Sequence, residues 1–142
     1  MNLDCLKATQ YISELVGVPC KHRGRDRDGL DCYGLIWLVY HEAGIKLPDF
    51  EYSTEWKKVT ELLIGSGATL VEGEYICKDT NFQPGDILFF KKWNSRIEHL
   101  GLFIGDTRFL HCLRETGVVQ SKLKGPWKKH LAGGYRIKKG LN

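Results

Sequence analysis

The sequence predicts an α+β fold in which N-terminal helices pack on an antiparallel sheet of about five or six strands. Three observations carry that prediction. Apolar residues recur at helical spacing in the first half of the chain. The second half changes to short apolar and aromatic runs bounded by glycines and turn residues. The 142 residues, 42% hydrophobic and 11% aromatic, can build one packed domain, so residues 1–142 are expected to form a single unit.

Each element follows from its local pattern. Residues 3–16 place Leu3, Leu6, Ile12, Leu15 and Val16 at helical spacing, with Asn2 as cap and Gly17 as stop. A polar loop runs from Val18 to Gly29. The most hydrophobic helix spans 31–43, with Leu35, Ile36, Val39, Tyr40 and Ala43 on one face, Asp31 at its start and Gly44 at its end. A short helix near 54–64 is capped by Ser53 or Thr54 and carries Trp56, Val59, Leu62 and Leu63. Strands follow over 86–90, 99–104 and 108–113, with weaker strands over 118–121 and 134–138.

Composition narrows the function. A net charge of +4 favours an anionic surface or polymer but falls short of a nucleic-acid footprint. The C-terminal cluster of Lys122, Lys124, Lys128, Lys129, Arg136, Lys138 and Lys139 reads as a solvated face. No run of about 20 apolar residues exists to span a membrane. The N-terminus lacks the basic and apolar regions of a signal peptide, so synthesis in the cytoplasm is expected. Five cysteines, none in a C-x-x-C pair, fit free thiols made in a reducing compartment. Cys5 and Cys77 read as small buried or semi-buried residues. Cys20-x-His22 and His111-Cys112 hold metal-ligand types, but their spacing matches no structural zinc pattern, so neither a metal nor a cofactor is expected.

Cys32 stands in the first turn of the buried helix, after a loop with two glycines. A helix N-terminus carries unpaired N–H groups and partial positive charge, which favour a thiolate and can hold an oxyanion. The competing reading is an inert buried thiol. His99 opens a strand and His111 lies in the next one. A three-residue loop, Gly105-Asp106-Thr107, pairs Ile104 with Arg108 and Gly101 with His111. Side chains alternate, so this register puts both imidazoles on one face in diagonal contact, whereas a two-residue loop would separate them. One imidazole can take the thiol proton while the other fixes its tautomer. Two unrelated histidines are the plain alternative.

The segments Asp31-Cys32-Tyr33-Gly34-Leu35, Pro84-Gly85-Asp86 and His99-Leu100-Gly101-Leu102-Phe103-Ile104-Gly105 resemble the NlpC family of cell-wall cysteine peptidases, in particular its phage-tail branch. A polar residue twelve positions on, His111, and a tail with Trp127, His130 and Gly134-Tyr135-Arg136 extend the likeness over most of the chain. The resemblance implies a papain-like fold and cleavage of amide bonds in peptidoglycan stem peptides, often beside D-glutamate. Cys32, His99 and His111 would be catalytic, and Asp31, Tyr33 and Trp93 would bind substrate. Asp31 would recognise an amine, with a helix N-cap as its alternative role. Trp93 lies in the polar loop before His99 and could rim the cleft. Cys20 stands where many members carry a tyrosine, and its nearness to Cys32 would permit an oxidative disulfide. The phage-tail branch implies assembly into a virion tail with other tail proteins. A tail-tip structural component with weak or no hydrolase activity is the alternative function.

Overall fold

The computed structural model describes residues 5–47, 49, 71–91 and 97–140. The helix expected near 54–64 and Trp93 lie outside them. Helix α1 spans Cys5–Leu15, and a small hairpin follows, β1 (Arg25–Asp26) with β2 (Gly29–Leu30). Helix α2 spans Cys32–Glu42. Six strands make the sheet: β3 (Val71–Cys77), β4 (Ile87–Lys91), β5 (Ile97–Gly105), β6 (Arg108–Leu113), β7 (Gly117–Lys122) and β8 (Leu131–Gly140). A short helix α3 (Gly125–His130) precedes β8. The strand order is β3-β8-β4-β5-β6-β7, and every pairing is antiparallel. The expected α+β class, with helices before the sheet, is what the chain forms.

Period-2 alternation divides the sheet into two faces. Leu100, Leu102, Ile104, Leu110, Cys112 and Val118 pack under α1 and α2. Leu88, Phe90, Phe103 and Phe109 point the other way and are covered by Leu123, Leu131, Phe82 and Trp127. Helix α2 is buried almost all round, from Cys32 through Tyr40, with only Trp37 half-buried. That explains why its sequence shows no polar stripe. Tyr11 and Leu15 bury the inner face of α1, while Val16, expected on that face, is 44% exposed because the helix has already ended. Arg27 bridges the two helices, reaching Glu42 at 2.6 Å and Glu14 at 2.7 Å.

The chain leaving α1 is stitched to β7. The Gly17 N–H donates to the Val118 carbonyl at 2.9 Å, and the Val118 N–H donates to Val18 at 2.9 Å. Any Cβ at Gly117 would lie 2.2 Å from the Val18 carbonyl oxygen, and φ is +75° there, so this crossing needs glycine.

A buried ion pair anchors the start of β4. Asp86, 1% exposed, accepts from Arg136 Nε at 2.9 Å and Nη2 at 2.8 Å, and from the Gln83 N–H at 2.7 Å. This bidentate pair ties β4 to β8. Arg136 therefore does not belong to the solvated basic face, whose described lysines Lys122, Lys124, Lys128 and Lys129 are exposed. The Tyr40 hydroxyl donates to the Gly85 carbonyl and fixes α2 to the same corner.

The β5–β6 hairpin departs from the expected turn. Gly105 pairs with Arg108, so the loop holds only Asp106 and Thr107, both left-handed at φ 55° and 56°. This is the backbone of a type I′ turn. A register shift between Phe103 and Gly105 leaves Ile104 as the extra residue of a bulge. The bulge restores the parity that the shorter loop would have reversed, and Phe103 faces Phe109 as the longer loop required.

Candidate active site

The start of α2 is held by its cap. Asp31 has extended backbone angles, and its Oδ1 accepts the Gly34 N–H at 2.6 Å. The same carboxylate accepts from the Arg23 N–H at 3.2 Å and from Arg25 Nη1 at 3.0 Å. Arg25 also reaches Asp49 at 2.9 Å. Asp31 therefore performs the N-cap role, and a substrate amine would have to compete with these donors. Gly34 is required by packing: a Cβ there would sit 2.0 Å from the Gly24 carbonyl oxygen. The polar loop crosses directly over the first helical turn, which accounts for a small residue two positions after Cys32.

Cys32 is the first residue of α2 and is 9% exposed. Tyr33, expected at the substrate, is instead fully buried, with the Arg25 guanidinium 5.4 Å from its ring centre. The Tyr33 ring has no surface to offer a ligand, because helical rotation turns this position fully into the core, while Cys32 keeps 9% exposure. Burial also raises its hydroxyl pKa far above the ordinary value.

Two further thiols flank the helix start. Cys112 Sγ donates to the Leu30 carbonyl at 3.1 Å, and Cys20 forms an isolated parallel bridge with Leu30. Burial pushes the Cys112 thiol up to about 12, with Cys20, Cys32 and Asp31 adding to the shift. A thiol in that condition is a poor nucleophile. Cys20 is exposed and interacts with Cys112, so both it and Cys32 lie close to the same buried thiol. Cys77 is exposed rather than buried, since β3 is an edge strand, and Cys20, Cys32, Cys77 and Cys112 are free thiols.

The histidines meet on the opposite side of β6 from Cys112. His99 Nε2 and His111 Nδ1 are 2.8 Å apart, and the ring centres are 5.0 Å apart. The diagonal contact expected from side-chain parity is thus present, though the bulge rather than the loop length produces it. His111 is completely buried, and its Nε2 lies 2.7 Å from Ser121 Oγ on β7. Burial first, and His99 second, depress the His111 pKa to about 3, so the ring is neutral at any ordinary pH. A neutral imidazole has one N–H and one lone pair, so His111 can accept on one side only while donating on the other.

Trp127 closes this group. It meets His111 edge-on at 4.6 Å and lies tilted against His99 at 5.8 Å, while Phe90 and Phe109 contact the same two rings. Sequence reasoning assigned no part here to Ser121 or to the Trp127 cover. Pairing Leu113 with Gly117 across a three-residue turn would have found Ser121, since it places Val119 opposite His111 and Ser121 on the diagonal.

Strand β6 carries His111 on one face and borders α2 with the other. Helix α2 packs across β5 and β6. Cys112, the residue after His111, grips Leu30, two residues before Cys32. Among the described residues no cluster of His, Cys, Asp and Glu has the arrangement of a metal site. No described helix is long and apolar enough to cross a membrane.

A cysteine opens a capped, buried helix, and a half-buried His99 meets a buried His111 on adjoining strands of an α+β fold. The chain belongs to the NlpC/P60 family, whose model matches residues 17–136. The chain is 27% identical over 138 residues to the probable peptidoglycan endopeptidase LytE of Bacillus subtilis, covering 96% of this chain and 35% of that protein. It is 29% identical over 99 residues to tail tip assembly protein K of Escherichia phage lambda, covering 70% of this chain and 49% of that one. The fold is similar to the crystal structure of an NlpC/P60 family protein from Bacillus cereus, with a TM-score of 0.71, 20% identity, and coverage of 96% of this chain and 41% of that one. The chain therefore spans about a third to a half of the length of these relatives.

Proposed function

We propose that the protein is a cysteine peptidase or amidase that hydrolyses amide bonds in peptidoglycan stem peptides. The observation that carries the reading is the contact between His99 and a buried, neutral His111. Core packing alone does not call for two imidazoles meeting edge-on, with both nitrogens of the buried ring against polar partners. Membership of the NlpC/P60 family and the likeness to a probable peptidoglycan endopeptidase support the substrate class.

In this mechanism Cys32 gives its proton to His99, and the sulfur attacks the scissile carbonyl carbon. The N–H of Cys32, in the first turn of α2, donates to the resulting oxyanion. His99 then protonates the leaving amine, the C–N bond breaks, and a thioester remains on Cys32. Water, giving a proton to the neutral His99, attacks the thioester and releases the acid and the thiol. His111 occupies Nε2 of His99, so the exchange with thiol, amine and water runs through Nδ1. Asp31 serves this chemistry as the cap that positions Cys32, and Trp93 is assigned to the rim of the substrate cleft.

The likeness to a lambda tail tip assembly protein favours a phage tail as the place of action, with the protein made in the host cytoplasm and carried by the tail to the wall. A tail-tip component with weak or no hydrolase activity is the second reading on the same observation. Digestion of purified muropeptides, followed by mass spectrometry, separates the two. Wild-type protein is expected to cleave a stem-peptide amide, and Cys32→Ala is expected to lose at least about 1,000-fold in rate. No cleavage by the wild type, or equal cleavage by the variant, would overturn the enzyme reading.

A further inference from the structure

The geometry points to Ser121 as a positioning residue that acts through His111 to set which nitrogen of His99 is the base. This assignment rests on the proposed hydrolase reading and extends it from three residues to a chain of four: Cys32, His99, His111 and Ser121. Its last three members are in direct contact. Ser121 Oγ lies 2.7 Å from His111 Nε2, and His111 Nδ1 lies 2.8 Å from His99 Nε2.

Two proton arrangements satisfy these distances. In the first, Ser121 accepts from His111 Nε2–H, His111 Nδ1 accepts from His99 Nε2–H, and His99 Nδ1 carries the lone pair. In the second every bond reverses: the serine hydroxyl donates, His111 Nδ1–H donates to His99, and His99 Nδ1 is protonated. Only the first leaves His99 able to take a proton from Cys32, because Nε2 is already engaged by His111.

The surroundings favour the first arrangement. His111 is completely buried, so its single N–H must find a partner within the protein. Ser121 is half-buried on β7, so its own hydroxyl proton can be donated to water while a lone pair faces His111. His111 stays neutral under burial and the neighbouring imidazole, so it transmits one orientation and never acts as a second base. When His99 becomes imidazolium, His111 Nδ1 still accepts from it, and no bond in the chain has to reverse during turnover.

The test combines nitrogen-15 NMR of the histidine rings with kinetics on muropeptides and alkylation of Cys32 by iodoacetamide. In the wild type, His111 is expected to show a protonated Nε2 and an unprotonated Nδ1. Ser121→Ala is expected to lower kcat and the alkylation rate by about 10-fold, the scale of an unpaired buried N–H, with KM changed by less than about twofold. Ser121→Thr keeps the hydroxyl on a strand that suits a β-branched residue and is expected to restore both rates. A protonated Nδ1 on wild-type His111, full rates in Ser121→Ala, or a Ser121→Thr variant as slow as Ser121→Ala would each overturn the assignment. If the wild type cleaves no muropeptide, the hydrolase reading fails by itself. The NMR spectrum and the alkylation rates then still decide the role of Ser121.

Discussion

His111 and Cys112 are neighbours on β6, both buried and both able to ionise, yet they face opposite sides of the sheet and meet different partners. Burial drives each toward its neutral form, lowering the imidazole to about 3 and raising the thiol to about 12. For the thiol this ends its chemistry, because only the thiolate attacks. For the imidazole it improves the chemistry, because a neutral ring keeps one donor and one acceptor in fixed places. The α2 side of the sheet therefore holds an inert thiol that grips Leu30, and the aromatic side holds a neutral imidazole in contact with His99. In the proposed hydrolase the same desolvation is structural on one face and functional on the other, and the side-chain chemistry decides which.

The largest expected effect that breaks this comparison comes from exchanging both residues for apolar ones. His111→Leu is expected to lower kcat about 100-fold, with His111→Gln recovering part of it, since an amide can still accept from His99. Cys112→Val is expected to leave kcat within about threefold and stability within about 1.5 kcal/mol. Leu30 keeps a partner in that variant, because its carbonyl also accepts the Lys21 N–H at 3.0 Å. Steady-state kinetics and thermal unfolding of the variants check both halves. Equal losses in His111→Leu and Cys112→Val would erase the distinction between the faces.

Acid separates the two residues next. An unfolded histidine takes up a proton near pH 6.5, whereas folded His111 resists protonation until about pH 3. Between those values the unfolded chain binds the extra proton, so stability falls as pH falls, by on the order of 1.4 kcal/mol per unit. Urea unfolding is expected to lose about 2 kcal/mol between pH 6.5 and pH 5 in wild type relative to His111→Leu. Cys112 contributes nothing in this range, because its thiol is neutral in both states. Parallel slopes for wild type and His111→Leu would mean that His111 is not held neutral.

The smallest expected effect lies in the turn that places His111 on its face. Thr107 is β-branched at φ 56°, a conformation that costs such a residue more than it costs glycine. Thr107→Gly is expected to raise stability by about 0.5 kcal/mol, the relief of strain minus the added backbone entropy of the unfolded chain. A loss measured by urea unfolding would show that the 2.6 Å bond from the Thr107 hydroxyl to the Asp106 carbonyl outweighs the strain.

Much of this was readable before the structure. The runs that became β4, β5 and β6 are apolar and aromatic with turn residues between them, and their burial follows their alternation. Helix α2 was marked by its capping aspartate and its long apolar run. The diagonal pairing of His99 and His111 was reached through the wrong turn, because a bulge at Ile104 and a shorter loop cancel in parity, and no local signal marks a bulge. Strand β3 was missed because Val71-Glu72-Gly73-Glu74-Tyr75-Ile76-Cys77 is a polar edge strand interrupted by glycine. Helix α3 was missed because six residues, with Pro126 at the first turn and no side-chain cap, are too few to show a period. With α3 unread, the Trp127 cover over the imidazoles was unreadable too. Tyr33 was misplaced because neighbours on a helix are separated by about 100° of rotation, and a residue beside a nucleophile need not share its exposure.

The most direct measurement is the rate at which iodoacetamide modifies each cysteine near neutral pH, resolved by peptide mass spectrometry. Cys32 is expected to react at least about 10-fold faster than Cys112 and faster than every other thiol, and His99→Ala is expected to remove that advantage. A Cys32 that reacts no faster than Cys112, or whose rate is unchanged by His99→Ala, would contradict the account.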